Sequence, residues 1–453
     1  MWGFLSDRKF NRELMRLALP SAVQNLMLAL VAAADALMLG GVSQDAMASV
    51  SLATQIQFVQ NCILMVMTAA ASILGAQYWG KKDRASVGDV FCLSLRACGA
   101  VSVLFFVGCV FFPRALMRIF AHDAGLVALG VDYLRVAGWS YLLTGVSQCY
   151  LNLMRFTDRV AGSARISAWT VVLNIVLNAV FIFGLCGFPA LGIRGAAYAT
   201  LVARATELVW CLAASARKDG FRPDLRGLLR IHPDLDRDFI RCLLPLLGAG
   251  LLWGVGFTSY TAFMGHLGPD AAAANAVAAV IRDLVCCLCN GLSVGGGILV
   301  GNALGAGRLD LGRLYGDRTT AIAFLCGAAS ALLMFLSTPI VLRFVKLSEG
   351  ASGLLLGMMV IMAVYMVGRA VNTIVINGIF AAGGDTAFDL YSLAVTMWGL
   401  AVPLAALGTF RFHWPVLVVY ACTCLDEVGK IPWVMVHYRR YKWVKDLTRE
   451  RKA

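Results

Sequence analysis

The chain has 453 residues, 60% of them hydrophobic and only 14% charged, with a net charge of +13. Its mean hydropathy of +0.76 is more apolar surface than a water-soluble domain of this size can hide, which makes a membrane protein the default reading. The basic residues sit in short clusters between long apolar runs, so the charge reads as membrane orientation and not as a nucleic-acid surface.

Stretches long enough to cross a bilayer of about 30 Å recur along the chain. They predict spans over residues 14–39, 48–79, 90–112, 126–153, 166–184, 195–216, 239–265, 272–304, 319–342, 352–382, 387–408 and 415–437. The first is too long for a cleavable signal peptide. Arg8, Lys9, Arg12 and Arg16 precede the first span, and further basic clusters follow the second, fourth, sixth, eighth and twelfth. The intervening loops carry few, so both termini are expected in the cytoplasm. Residues 217–238 (RKDGFRPDLRGLLRIHPDLDRD) form the one long polar interruption. They divide the chain into an N-lobe at 1–216, a cytoplasmic linker at 217–238, a C-lobe at 239–438 and a basic cytoplasmic tail at 439–453.

The second half opens as a copy of the first. Pro20 matches Pro245, an offset of 245 − 20 = 225. The same offset pairs Arg12 with Arg237, Arg16 with Arg241, Gly40 with Gly265, Asp45 with Asp270, Ile73 with Ile298 and Gly80 with Gly305. Chance apolar similarity does not keep prolines, glycines and charges in register. The expected fold is therefore an all-α membrane protein of twelve transmembrane helices. Its two six-helix bundles, with six spans each, should be related by a pseudo-two-fold along the membrane normal. Transporters commonly bind substrate between such halves.

Polar residues inside apolar spans are costly, and so are functional candidates. Asp35, Asn178 and Thr200 each lie about five or six residues from the outer end of spans 1, 5 and 6. At about 1.5 Å per residue they reach a similar depth. Asn174 precedes Asn178 by four residues and shares its helical face. One carboxylate, two carboxamides and a hydroxyl suit a hard cation; the plainer reading of the Asn and Thr residues is hydrogen bonding between helices. At the repeat offset Asp35 corresponds to Tyr260, so the two lobes differ in chemistry. In the second lobe, Arg282, Asp283 and Arg369 fall at membrane depth, where they either pair with one another or line a substrate cavity along with Tyr260. Arg204 with Glu207, and Asp426 and Glu427 with Lys430, are spaced to pair within their own helices.

Other motifs carry little. Gly75 to Lys82 (GAQYWGKK) approaches a phosphate-binding loop but lacks its Ser or Thr and ends a helix, not a strand. Cys286 and Cys289 form a C-x-x-C inside an apolar helix, where core packing is the expected role. The five histidines lie in loops or at span ends, leaving no buried base for a membrane enzyme.

LALPSAVQNL before Asp35, GAQYWGKKD after span 2, NIVLN in span 5 and LGIRGAAYATLVAR in span 6 resemble the multidrug and toxic compound extrusion (MATE) transporters. So do GLSVGGGILVGNALGAG and GIFAAGGDT in the second half, and the similarity covers nearly the whole chain. The resemblance implies two six-helix bundles facing each other in a V, and export of organic cations and other drug-like compounds in exchange for Na⁺ or H⁺. It also implies a monomer in the bacterial inner membrane, with no cofactor beyond the coupling ion. Asp35, Asn174, Asn178 and Thr200 match the family's first-lobe cation positions, and so the implied Na⁺ site. Acidic residues that some members use in spans 7 and 10 are missing: Trp253, Tyr260 and Arg369 stand in those spans. A flippase for lipid-linked or polyanionic precursors is the alternative, and would need a wide cationic cavity.

Overall fold

A computed structural model describes residues 7–40, 44–120, 124–217, 221–224, 227–228, 230, 232–344 and 348–449. The side chains of 28–37, 39–40, 44–48, 120, 186 and 344 also lie outside the described set. Among the described residues the chain is helical and has no strand. The elements are α1 (Arg8–Gly40), α2 (Gln44–Gly80), α3 (Arg84–Phe111), short α4 (Pro113–Phe120), α5 (Ala124–Phe156), α6 (Val160–Phe183), α7 (Gly192–Ala216), α8 (Pro233–His266), α9 (Pro269–Gly305) and α10 (Leu309–Phe344). Then come α11 (Glu349–Phe380), α12 (Ala387–Arg411) and α13, which runs in three pieces, Val416–Thr423, Leu425–Val428 and Ile431–Arg439. Leaving out α4, these are the twelve expected spans in order. Ten of them are long and apolar enough to cross a membrane, among the described residues.

Spanning elements must satisfy their own backbone, because lipid offers no hydrogen bonds. Hydroxyls inside the helices follow the same rule: Thr68, Thr144, Thr338 and Thr409 each donate to the carbonyl four residues back at 2.8–3.0 Å. Helix ends are set by local chemistry. Asp83 caps α3 by accepting from the Ser86 amide at 3.0 Å. Gly184 ends α6 at φ 72°, a conformation open to glycine, and a Cβ there would crowd Ala190 N at 2.7 Å.

The chain divides into two compact units, built mainly of the first and the second six spans, except that the start of α1 and the end of α2 fall with the second. The first comprises Gln24–Gly75 and Asp83–Phe239; the second comprises Met1–Val23, Ala76–Lys82 and Ile240–Ala453. In the first, buried amides tie the helices together: Gln24 Nε2 donates to Ser167 Oγ (2.6 Å), Gln60 Nε2 to Tyr141 O (3.0 Å) and Asn152 Nδ2 to Thr68 O (2.8 Å). The described part of the linker folds back along α3, where Arg96 bonds Arg230 O (3.1 Å) and Asp236 (3.3 Å) and Cys92 donates to Asp224 O (3.4 Å).

In the second bundle, small residues let α9 approach its neighbours closely. A Cβ on Gly291 would meet Ala18 and Ala22 of α1. Cβ atoms on Gly297 and Gly301 would lie 3.1 Å from Gly378 O and 3.2 Å from the Ala76 Cβ. α11 and α12 contain π-helical stretches, Thr373–Phe380 in one and Ala394–Ala401 and Leu407–Arg411 in the other. The described part of the basic tail is docked: Trp443 is fully buried, and the Leu447 amide donates to Gln77 Oε1 at 2.6 Å.

Candidate cation site

The first bundle contains a cavity of about 30 Å³ lined by Val50 and Thr54 of α2, Tyr133 of α5, Asn178 and Ile182 of α6, and Ala196 and Thr200 of α7. That is room for one or two particles of water size. The sequence NIVLN puts Asn174 and Asn178 one turn apart on α6, and both are buried. Asn178 Nδ2 leans on Asn174 Oδ1 at 3.4 Å, so the two carboxamides act as one polar unit. Thr200 Oγ1 donates its single proton to Ala196 O at 3.0 Å, which leaves its lone pairs free to accept. Oxygen donors of this kind are what a small hard cation takes.

Three of the four expected residues are thus brought together: Asn178 and Thr200 in the wall, and Asn174 bonded to Asn178. The Asp35 side chain lies outside the described residues. Met38 of the same helix packs against the apolar core that includes Val50, Tyr133, Ile182 and Ala196. Tyr133 and Thr54 line the cavity although the sequence did not single them out. Tyr133 was legible only as an aromatic with a polar tip inside span 4, a pattern that core tyrosines share.

The expected residues of the second lobe meet different partners. Arg282 pairs with Asp283 at 2.9 Å and stacks over the Phe257 ring at 4.7 Å. This is the pairing alternative; the Asp283 side chain is 67% exposed and the Arg282 side chain 16%. Arg369 joins neither. Its Nη1 donates to Glu427 Oε1 of α13 at 2.7 Å, and its guanidinium lies 5.8 Å from the Trp253 ring. Tyr260 is buried and packs against Phe257, with centroids 5.8 Å apart and the rings tilted by 58°. Asp426, Glu427 and Lys430 are buried too; Lys430 of the same helix faces both carboxylates, and Glu427 also accepts from Arg369 of α11, where α13 breaks at Cys424 and at Gly429–Lys430. Arg204 and Glu207 do pair, at 3.0 Å, and Glu207 also accepts from Ser147 Oγ at 2.7 Å. Cys289 faces Cys326 with sulfurs 3.8 Å apart, and Cys286 is buried beside it, in keeping with core packing.

Comparison with known proteins identifies the family. The sequence profile of the MatE family matches residues 20–180 and again 245–407. The two matches begin at positions 20 and 245, the pair of prolines that sets the offset of the internal repeat. "Uncharacterized transporter YisQ" of Bacillus subtilis is 23% identical over 448 residues, covering 97% of this chain and 96% of that one. "Probable multidrug resistance protein NorM" of Thermotoga maritima is 23% identical over 461 residues, covering 98% and 96%. Among solved structures, a MOP superfamily transporter from Pyrococcus furiosus, described as having a binding pocket of reverse polarity, superposes with a TM-score of 0.85 at 18% identity over 95% of this chain and 96% of that one. An outward-facing multidrug resistance MATE family transporter matches equally, at TM-score 0.85, 18% identity and the same coverage. Those likenesses carry the fold, two bundles of six membrane helices, and the profile matches carry the membership. The chain belongs to the MatE family of membrane transporters.

Proposed function

We propose that this protein is a cation-coupled antiporter that exports organic cations and other drug-like compounds by alternating access. The supporting observation is the cavity in the first bundle, of a size for one ion or a water or two, where Asn178 and Thr200 meet with Asn174 bonded behind. Asp35 supplies the charge in this reading. It lies three residues before Met38, about one helical turn, in the helix whose end packs on the same core. Residues 1–216 and 239–438 act as the two lobes, joined by 217–238, with the basic clusters and both termini on the cytoplasmic side.

An ion entering from outside neutralises Asp35 and draws α1, α6 and α7 together. That reshapes the first lobe and loosens its hold on substrate, which leaves outward before the ion leaves inward. Each charge moving inward adds about 2.3 kcal/mol per 100 mV of membrane potential, or roughly 50-fold accumulation of a neutral substrate. Neutral oxygens at Asn174, Asn178 and Thr200 favour Na⁺, whereas H⁺ needs Asp35 alone. Relatives described as probable multidrug resistance proteins support the drug-like substrate class.

Dye efflux from vesicles under imposed gradients tests the reading. A sodium gradient without a pH difference should drive ethidium out. Efflux that ignores both gradients would remove the antiport reading.

A further inference from the structure

The second bundle buries a charge cluster that has no counterpart in the proposed ion site. Asp426, Glu427 and Lys430 are 1%, 3% and 2% exposed. Glu427 is fully engaged: Arg369 Nη1 donates to Oε1 at 2.7 Å, while Asn372 Nδ2 lies 2.7 Å from Oε2 and 2.8 Å from the Glu427 carbonyl. Asp426 is different. Its Oδ1 is buried and accepts no hydrogen bond from the described residues. The groups that face it come from every helix packed around it. They are Tyr260 of α8, whose hydroxyl is set beside the carboxylate, Tyr365 and Arg369 of α11, and Glu427, Lys430 and Cys424 of α13 itself. Asp389 of α12 faces Lys430, Glu427 and Arg369. From α9, Arg282 pairs with Asp283 at 2.9 Å.

The charges do not balance. Three carboxylates, Asp426, Glu427 and Asp389, face two cations, Arg369 and Lys430, and the Arg282–Asp283 pair cancels itself. One negative charge is left over in a cluster whose Asp426, Glu427 and Lys430 are buried and whose Asp389 is half-buried, and a low-dielectric interior tolerates that poorly. A single positive charge closes the balance. A metal ion would need several oxygens to itself, yet two protein cations already stand among these carboxylates. A proton needs one oxygen, and Asp426 Oδ1 is a fully buried carboxylate oxygen with no hydrogen bond among the described residues.

We propose that Asp426 is a proton-binding carboxyl in the second bundle, separate from the Asp35 set and held in place by the Arg369–Glu427 pair. The step is simple: hydronium delivers H⁺ to the carboxylate, one O–H bond forms, and water is released. Bound, the proton leaves the cluster neutral; released, it leaves one buried negative charge facing Lys430 and Tyr260. The assignment holds whichever ion Asp35 takes.

Infrared pH-difference spectroscopy on the full-length protein in lipid reads it directly. A protonated buried carboxyl gives a carbonyl band that ionised carboxylates lack. The wild-type spectrum should contain such a band, and it should disappear as pH is raised. The band should be lost in Asp426→Asn, shift in frequency in Asp426→Glu, which keeps a carboxyl in place, and persist in Asp35→Asn. A band that survives Asp426→Asn and does not move in Asp426→Glu overturns the assignment, as does a wild-type spectrum with no such band at any pH.

Discussion

Gly80 and Gly305 hold matching positions in the internal repeat, and each lies flat against the other's helix. A Cβ on Gly80 would strike the Asn302 backbone, and one on Gly305 would strike the Gln77 backbone. Gln77 and Asn302 are themselves a matched pair at the same offset, so the repeat appears in the structure as a reciprocal crossing of α2 and α9. Side chains have no room here. Gly80→Ala and Gly305→Ala should each destabilise by about 1–3 kcal/mol or more, as overpacked sites do. Gly254→Ala, with open space around it, should stay within about 0.5 kcal/mol. Thermal unfolding in detergent compares the three.

The Arg369–Glu427 pair gives a second prediction. Removing one partner from a buried ion pair strands the other charge, at a cost of about 3–5 kcal/mol. Arg369→Met alone should therefore be severe, and Arg369→Met combined with Glu427→Leu should recover much of the loss. Losses that simply add would show that the 2.7 Å contact contributes no coupling.

Thr200 separates an oxygen ligand from a packing residue. Thr200→Ser keeps the hydroxyl and should preserve sodium dependence. Thr200→Val keeps the shape and should raise the sodium concentration for half-maximal efflux about tenfold or more, a loss of about 1.4 kcal/mol. Equal effects from the two would mean that Thr200 only packs.

Outside the membrane, Asp7 predicts an acid-side effect. The Phe10 amide and the Arg318 guanidinium, at 2.5 Å, hold its carboxyl below the usual carboxylate range. A group lowered on folding stabilises the protein above its unfolded value of about 3.9, and that contribution is lost as pH falls through the lower folded value. Asp7→Asn should thus lower the melting temperature slightly at neutral pH. The difference from wild type should close as pH falls through the lower folded value.

The spans, the repeat and the Asn174–Asn178–Thr200 grouping were legible because each rests on local spacing in regular helices. Depth counted along α6 and α7 brought Asn178 and Thr200 to one level, and the folded chain sets them in one cavity wall. What the sequence hid depends on irregular backbone. α13 breaks on either side of Asp426 and Glu427, and Glu427 hydrogen-bonds to Arg369 of α11 while Lys430 of its own helix still faces both carboxylates; only the second partner was hidden. Tyr133 and Thr54 were hidden for another reason, since nothing in a single span tells which buried polar tip faces a cavity. The docked tail was hidden by its charge, which masks Trp443 and Leu447 among lysines and arginines.

A cation bound at Asp35, Asn174, Asn178 and Thr200 is proposed to drive efflux, and on that claim the rest of the mechanism depends. Sodium-driven ethidium efflux from vesicles holding Asp35→Asn, with equal protein inserted, tests it most directly. Gradient-driven efflux should fall to the level of empty vesicles. Efflux equal to that of the unaltered protein would contradict the claim.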